Sequence, residues 1–495
     1  LHLRALDSQE MQRVASVRAI VSDGERGNVY LVYSLLTSIA FILTLPYWLI
    51  RGLRQGKYLH NLRERLGSLP KRLREGLTGR PAPVWIHAVS VGEVLAAAPL
   101  ARALKDEHPE RPLVVSTTTR TGQELAKERM RFADGFFYFP LDWAWCVRRV
   151  FRAVCPSVVI VLETEIWPNV LRVAREESVP IIFTNGRISS RSFERYQKWF
   201  GVLGVFLQPF LRRVLGNASL FLMQTQEDAE RLIALGAEPE KVTVTGNLKY
   251  DQGIPPESAI VRALGEELHR RERWPVIVAG SVVANEEPLV LIAFGVVQGE
   301  WPRALLVLAP RKPERFEAAA GFVEESHRKF VRRTAMSGEG ELQVLEDASV
   351  VLLDTIGELG GLYRIADAVF IGGSLVPAGG HNILEPAAFG KVPVFGPSTE
   401  NVQEIAARFL EAGAAVQVHS PEELGVEWIH LLRDGERRQR MGMAARGLVE
   451  SSRGATARTL AQINAVTRLG WEAAVGASAG QQKSVVASGA GSARP

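Results

Sequence analysis

From Val84 onward the chain repeats one pattern, a short apolar run followed by an amphipathic stretch of helical period. The runs are VWIHAVS, LVVSTTT, GFFYFP, VVIVLET, PIIFTNG, LFLMQT and KVTVTGN. Strands that are apolar along their whole length, rather than at alternate residues, must be covered on both faces. The rhythm therefore predicts a parallel sheet with crossover helices on each side. After Asp251 the pattern breaks at QGIPPES, a Pro- and Gly-containing stretch suited to a linker, and restarts with PVIVAGS, ALLVLAP, SVVLLDT, AVFIGGS and VPVFGP. The fold class that follows is α/β, with two successive doubly wound, Rossmann-like domains facing a cleft. Each carries its ligand loops at the carboxyl ends of its strands.

One segment departs from this pattern. VYLVYSLLTSIAFILTLPYWLI, Val29 to Ile50, has no charged side chain and is as long as a membrane-spanning helix needs to be. Tyr30, Tyr33, Tyr47 and Trp48 lie near its ends, and basic residues from Arg51 to Arg74 follow it. The segment is expected to be an N-terminal transmembrane helix, rather than a cleaved signal peptide or a buried core helix, and the positive-inside rule then places the bulk of the chain on the cytoplasmic side. The expected organisation is a non-native or disordered extension over 1–28, with the natural start near Val29, then the anchor over 29–50. The two domains occupy 51–250 and 251–472, and a Gly-, Ala- and Ser-rich tail without periodicity, 473–495, is expected to be disordered.

Bulk properties exclude several function classes. A net charge of +5 over 495 residues, with no basic block, does not suit a nucleic-acid binder. Two cysteines, Cys146 and Cys155, cannot build a disulfide framework or a four-thiolate zinc site. The nine histidines include no HExxH pair, so no metal site is expected. Neither the Gly-rich dinucleotide fingerprint nor a P-loop is present.

The chemistry must then sit on other strand ends. In IGGSLVPAGGHNILEPAAFG, Ile371 to Gly390, a strand runs into Gly-Gly, a loop crosses to Gly379 and Gly380, and a helix is predicted to begin near His381. Glycines before a helix start can cradle a phosphate with N–H groups and the helix dipole. Asn382 and Glu385, three apart, would share one helix face, and a carboxylate there can accept both hydroxyls of a ribose. The alternative is a tight turn and a solvated acid. Ser281 and Arg311 end two further strands of the same domain, and Arg suits a bidentate grip on phosphate, the alternative being a surface ion pair. In the first domain, Ser90-Val91-Gly92-Glu93 between a strand and a helix is either a capping box or a catalytic loop. Its helix dipole is expected to keep Glu93 ionised and weakly basic. Glu163 and Glu165 in VLETEIWPN could hold sugar hydroxyls or cap the helix that starts at Pro168.

Taken together, HAVSVGE, ETEIWPN, NGRISSRS, VTGNLKYD, APRKPERF and GGSLVPAGGHNILEPAAFGKVPVFGP resemble the bacterial 3-deoxy-D-manno-octulosonic acid (Kdo) transferases of lipopolysaccharide synthesis, from about Val29 to about Arg468. The resemblance implies the GT-B fold, CMP-Kdo as donor substrate, a lipid A precursor as acceptor, inversion at the anomeric carbon, and no metal or cofactor. It implies that 51–250 binds the acceptor and 251–472 the CMP-sugar, at a bacterial inner membrane. Glu93 then resembles the catalytic base, with Glu163, Glu165, Arg187 and Lys249 on the acceptor side. Ser281, Arg311, Gly379, Gly380, Asn382 and Glu385 fall in the donor domain. The chain departs from the family where relatives read Ser-Thr-His-x-Gly-Glu-Glu, having Ser281-Val282-Val283-Ala284-Asn285-Glu286-Glu287, and where they carry His-Thr-Phe-Asn, having Ser398-Thr399-Glu400-Asn401. A UDP-sugar enzyme or epimerase of the same fold would share the donor cradle without the Glu93 loop. A non-catalytic membrane scaffold would keep the fold alone.

Overall fold

The computed structural model describes residues 61–251, 258–336 and 347–467, with Gly253 and positions 30, 33–35, 37–39 and 43. The chain forms two compact units, Leu1–Asp251 with Gly454–Pro495, and Gln252–Arg453. In the first unit, the strands are β1 (Val84–Ala88), β2 (Leu113–Thr117), β3 (Gly135–Tyr138), β4 (Val158–Leu162), β5 (Ile181–Gly186), β6 (Leu220–Met223) and β7 (Val242–Val244). They pair in parallel in the order β3-β2-β1-β4-β5-β6-β7. The order reverses between β1 and β4, and the loops after these two strands separate there.

Both faces of this sheet are apolar because both are covered. Trp85, Phe137, Val159 and Phe183 belong to one core, while Ile86, Val115, Ile160 and Ile182 belong to the other. Trp85 is fully buried among Phe137, Phe139 and Phe151. Its indole N–H is not orphaned, since it donates to Ser116 Oγ at 2.7 Å. The helices begin where the sequence supplies caps. Ser90, Thr119, Thr225, Ser258 and Ser420 each accept an N–H from three residues further on.

The second unit repeats the plan with β8 (Val276–Val282), β9 (Leu305–Pro310), β10 (Phe330–Arg332), β11 (Val350–Leu352), β12 (Ala368–Ile371), β13 (Pro393–Phe395) and β14 (Val416–Gln417). Their order is β10-β11-β9-β8-β12-β13-β14, again all parallel. The reversal falls between β8 and β12.

The expected boundary at 472 is corrected. From Gly454 the chain belongs to the first unit, where Ala455 and Ile463 of the helix 455–467 are fully buried with Ile86, Leu100 and Ile160. The apolar face of this helix completes the cover of the first sheet. Asp251 ties the exit to the return: its carboxylate accepts the N–H of Gly454 at 2.7 Å and that of Thr456.

The Val29–Ile50 segment lies for most of its length outside the described residues, as do the 1–28 extension and the 473–495 tail. Among the described residues no helix is long and apolar enough to cross a membrane. The described helical positions of that segment dock on the first unit. Tyr30 is buried in the core, and Asn217 Nδ2 donates to its hydroxyl at 2.7 Å. The Tyr33 hydroxyl donates to Asp142 at 2.9 Å, and Asn169 Nδ2 to Ser34 Oγ at 3.2 Å. Leu35, Ile39 and Leu43, four residues apart, are exposed.

Asp251→Ala removes two charge-assisted hydrogen bonds and is expected to cost about 2–3 kcal/mol of stability. Hydrogen exchange measures it directly: the Gly454 and Thr456 amides lose protection in this variant, while those of β1 and β4 change only with the global stability.

Candidate active site

At the first reversal point, the loop after β1 supplies Glu93 and the loop after β4 supplies Glu163 and Glu165. Glu93 is 5% exposed. One oxygen accepts the Val89 N–H at 2.7 Å, and the other accepts the Ser90 hydroxyl at 2.8 Å. Ser90 Oγ in turn accepts the Glu93 N–H, so Ser90 caps the helix, while Glu93 folds back onto the amide of Val89 rather than that of Ser90. The electrostatics of Glu93 are not those expected. Burial pushes the Glu93 carboxyl up to about 7, opposed by the two hydrogen bonds and reinforced by the negative charges of Glu163 and Glu165. The helix dipole is thus outweighed, because a carboxylate nearly removed from water and set beside two like charges favours its protonated form. Glu165 is raised as well, by burial and then by Glu163.

Neither Glu163 nor Glu165 caps the helix Pro168–Glu176. That task falls to Asp142, which the sequence reading missed. It accepts the N–H of Asn169 at 3.1 Å and of Val170 at 2.9 Å. Because this partner comes from the loop after a different strand, local spacing gave no sign of it. Glu163 holds a left-handed backbone with φ 57° and lies 3.7 Å from Lys249 Nζ. Asn247 Oδ1 accepts the Lys249 N–H at 2.9 Å, and Asn185 Oδ1 accepts that of Leu248 at 2.9 Å, so the VTGNLKYD loop is fastened to the end of β5. Arg187 leaves β5 with its N–H on Thr164 Oγ1 at 3.1 Å, which fixes the loop between the two acids. The structure thus gathers Glu93, Glu163, Glu165 and Lys249, with Arg187 anchored to the same loop.

At the second reversal point, Ser281, the penultimate residue of β8, has a left-handed conformation, φ 58°. Arg311 follows β9, is exposed, and is close enough for its charge to act on His381. Burial, then Arg311, lowers His381 to about 4, so the imidazole is neutral at pH 7. Asn382 Nδ2 donates to Glu385 at 3.1 Å, which joins these two residues.

The phosphate cradle expected at Gly379 and Gly380 is corrected. The helix starts at Leu384, spans only Leu384–Ala388, and has too few aligned peptides for a strong dipole. Both glycine amides are already engaged. That of Gly379 donates to Ser398 Oγ and that of Gly380 to the Gly373 carbonyl, each at 2.8 Å. The glycines are needed for shape instead: both have positive φ, 88° and 69°, and a Cβ on Gly379 would lie 2.3 Å from Asn401 Nδ2.

The Gly-Gly turn after β12 does form an anion nest, but a protein carboxylate fills it. Glu286, fully buried, accepts N–H groups from Gly373 at 2.6 Å, Ser374 at 3.0 Å and Leu375 at 2.9 Å, and from Val283 at 3.2 Å. The neighbouring Glu287 is also fully buried and is met by Arg315 at 2.9 Å, so this arginine of APRKPERF is committed within the fold. Two adjacent acids in a polar loop read as solvated, and only burial distinguishes them. Among the described residues no group of three or more His, Cys, Asp or Glu side chains could hold a metal ion.

Residues 60–252 match the family model described as 3-deoxy-D-manno-octulosonic-acid transferase (kdotransferase). The 3-deoxy-D-manno-octulosonic acid transferase of Haemophilus influenzae is 33% identical over 86% of this chain and 96% of its own length. That of Bordetella pertussis is 34% identical over 77% of this chain and 86% of its own length. Among solved structures, the Staphylococcus aureus MnaA–UDP complex shares the fold, with a TM-score of 0.50 at 16% identity, over 79% of this chain and 98% of that one. The paired sheets are thus of the GT-B kind, and with a third of its residues shared along nearly the whole of a relative, the chain belongs to the 3-deoxy-D-manno-octulosonic acid transferase family of glycosyltransferases.

Proposed function

We propose that the chain moves Kdo from CMP-Kdo to the lipid A precursor lipid IVA in lipopolysaccharide synthesis, by a single inverting displacement with Glu93 as general base and without a metal. The observation that carries this reading is the meeting of Glu93, Glu163 and Glu165 at the reversal point of the first sheet, with Glu93 pushed up to about 7. A base whose pKa lies near the working pH is both available and strong enough to take a proton. The acceptor hydroxyl oxygen bonds to the anomeric carbon as the bond from that carbon to the CMP phosphate oxygen breaks. Its proton passes to Glu93. Arg311 offsets the charge that grows on the departing phosphate, and Glu385, steadied by Asn382, accepts the ribose hydroxyls. Ser281 and the Gly379-Gly380 turn shape the donor pocket. Lys249 and Arg187 supply positive charge for an anionic acceptor.

The Val29–Ile50 segment serves as the inner-membrane anchor, with both units on the cytoplasmic face, where lipid A phosphates lie. The outward Leu35, Ile39 and Leu43 support an apolar environment for that side of the helix.

Incubation with CMP-Kdo and tetra-acylated lipid A precursor, followed by mass spectrometry, tests the reaction. Glu93→Gln keeps an oxygen for the Val89 N–H and turns its NH₂ to the Ser90 hydroxyl oxygen, which can accept, but has no basicity, so turnover should fall by roughly 10²- to 10⁴-fold while CMP still binds. Turnover near that of wild type would remove Glu93 from the mechanism and turn attention to Glu165.

The wild-type rate should rise with pH through about 7 and level off above it, as Glu93 loses its proton. Glu163→Gln moves that midpoint downward, because it removes one of the like charges that raise it. Stability runs in the opposite sense. A folded-state pKa above the unfolded value favours folding at low pH, and the contribution is lost as pH rises from about 4.5 through about 7. Glu93→Gln should therefore be the more stable protein at pH 8, by on the order of 2 kcal/mol, and equal to wild type below about pH 5.

For the donor side, Arg311→Ala and Glu385→Ala should each cost about 2 kcal/mol, some thirtyfold, in CMP-Kdo affinity or rate. CMP binding by both variants at wild-type strength would show that the nucleotide lies elsewhere.

A further inference from the structure

Four N–H groups from two different loops converge on one carboxylate in the second unit. Val283 belongs to the loop after β8, and Gly373, Ser374 and Leu375 to the turn after β12, so Glu286 joins the two loops that flank the reversal point. Such a turn of successive amides is an anion-binding device, of the kind that elsewhere receives phosphate. Here the anion is built in. A nest filled by the protein cannot bind a substrate, and its value must lie in what it holds still.

What it holds can be followed bond by bond. The Ser374 carbonyl accepts the Ser398 N–H at 3.0 Å, and Ser374 Oγ accepts the Gly396 N–H at 2.8 Å, which carries the connection to the end of β13. Ser398 Oγ accepts the Gly379 N–H at 2.8 Å. The Gly373 carbonyl accepts that of Gly380 at 2.8 Å, and the His381 ring lies over Gly373, where a Cβ would come within 2.9 Å of it. On the β8 side, a Cβ on Gly372 would fall 2.4 Å from the Ser281 carbonyl oxygen, so the two backbones are in direct contact at the point where Ser281 is left-handed.

We infer that Glu286 is a positioning residue of the donor site: its buried carboxylate, standing in the nest where a free anion would otherwise sit, sets the relative placement of Ser281, Gly379, Gly380 and His381. The inference rests on placing the nucleotide sugar on this unit, although Glu286 itself touches none of it. Its neighbour Glu287 has a different task, since it is paired with Arg315.

Glu286→Ala opens a cavity lined by N–H groups, which formate, a carboxylate without a side chain, can refill. Three measurements on the full chain decide the matter. In hydrogen exchange, Glu286→Ala should lose protection at Gly373, Ser374 and Leu375 and also at Gly379, Gly380 and Gly396, with formate restoring it and chloride failing to. In calorimetry, CMP should bind at least on the order of tenfold more weakly, with formate recovering most of the loss. In turnover assays the defect should appear in KM for CMP-Kdo more than in kcat. Glu286→Gln fills the cavity but turns an amide NH₂ toward N–H donors, so it should be impaired and deaf to formate. It also serves if the alanine variant does not fold. Wild-type exchange at Gly379 and Gly380 in these variants, or a loss of CMP affinity that formate leaves untouched, would overturn the positioning role. If the exchange results hold but the wild-type protein binds no CMP, the donor assignment fails and the positioning role of Glu286 stands.

Discussion

A parallel strand can meet its neighbour only after the chain has crossed back over the face of the sheet, and that constraint organises both units. Crossovers cover both faces, so the strands can be apolar throughout, as in β4 and β9, where every residue is buried. They also send every strand-end loop out on the same edge. Where the winding direction reverses, between β1 and β4 and again between β8 and β12, two such loops diverge and leave room for a ligand. Glu93, Glu163 and Glu165 stand at the first of these points and Ser281 and the Gly-Gly turn at the second.

The two reversal points put buried carboxylates to opposite uses. Glu286 has four N–H donors to counter the cost of leaving water, and these oppose the upward push of burial. Glu93 has two donors and two acidic neighbours, which leaves it near neutrality in its titration. The chemistry of the side chain is identical, so the number of donors and the sign of the nearby charges decide whether a buried carboxylate fastens loops or titrates near neutrality. Asp142 is the intermediate case, binding two helix N–H groups and the Tyr33 hydroxyl yet still raised to about 6 by burial.

In the proposed mechanism, stability and activity are therefore in tension at Glu93. Keeping an acid dry beside two others costs folding free energy at the pH where the base must be ionised, and the surrounding sheet has to supply the difference. The fully buried Trp85 cluster, three residues before the end of β1, and the return helix 455–467 on the other face both stiffen β1 at that place.

The amino-acid sequence alone determined the two parallel sheets, because uninterrupted apolar runs admit few other arrangements, and it determined the family, because six motifs occur together in order. It also marked Glu93, Glu163, Glu165 and the Gly379-Gly380 turn, since each lies in a loop that follows a strand, and the family motif VTGNLKYD marked Lys249. Only the tertiary structure decided what these groups do to one another. The raised titration of Glu93 depends on its burial and, beyond that, on acids some seventy residues away in sequence, and the filled nest depends on Glu286 reaching amides nearly ninety residues on. The cap of the Pro168 helix comes from another loop, and the helix after Arg453 belongs to the first sheet rather than the second. Burial and long-range hydrogen bonds have no local signature, and a buried Glu and a solvated one are written with the same letter.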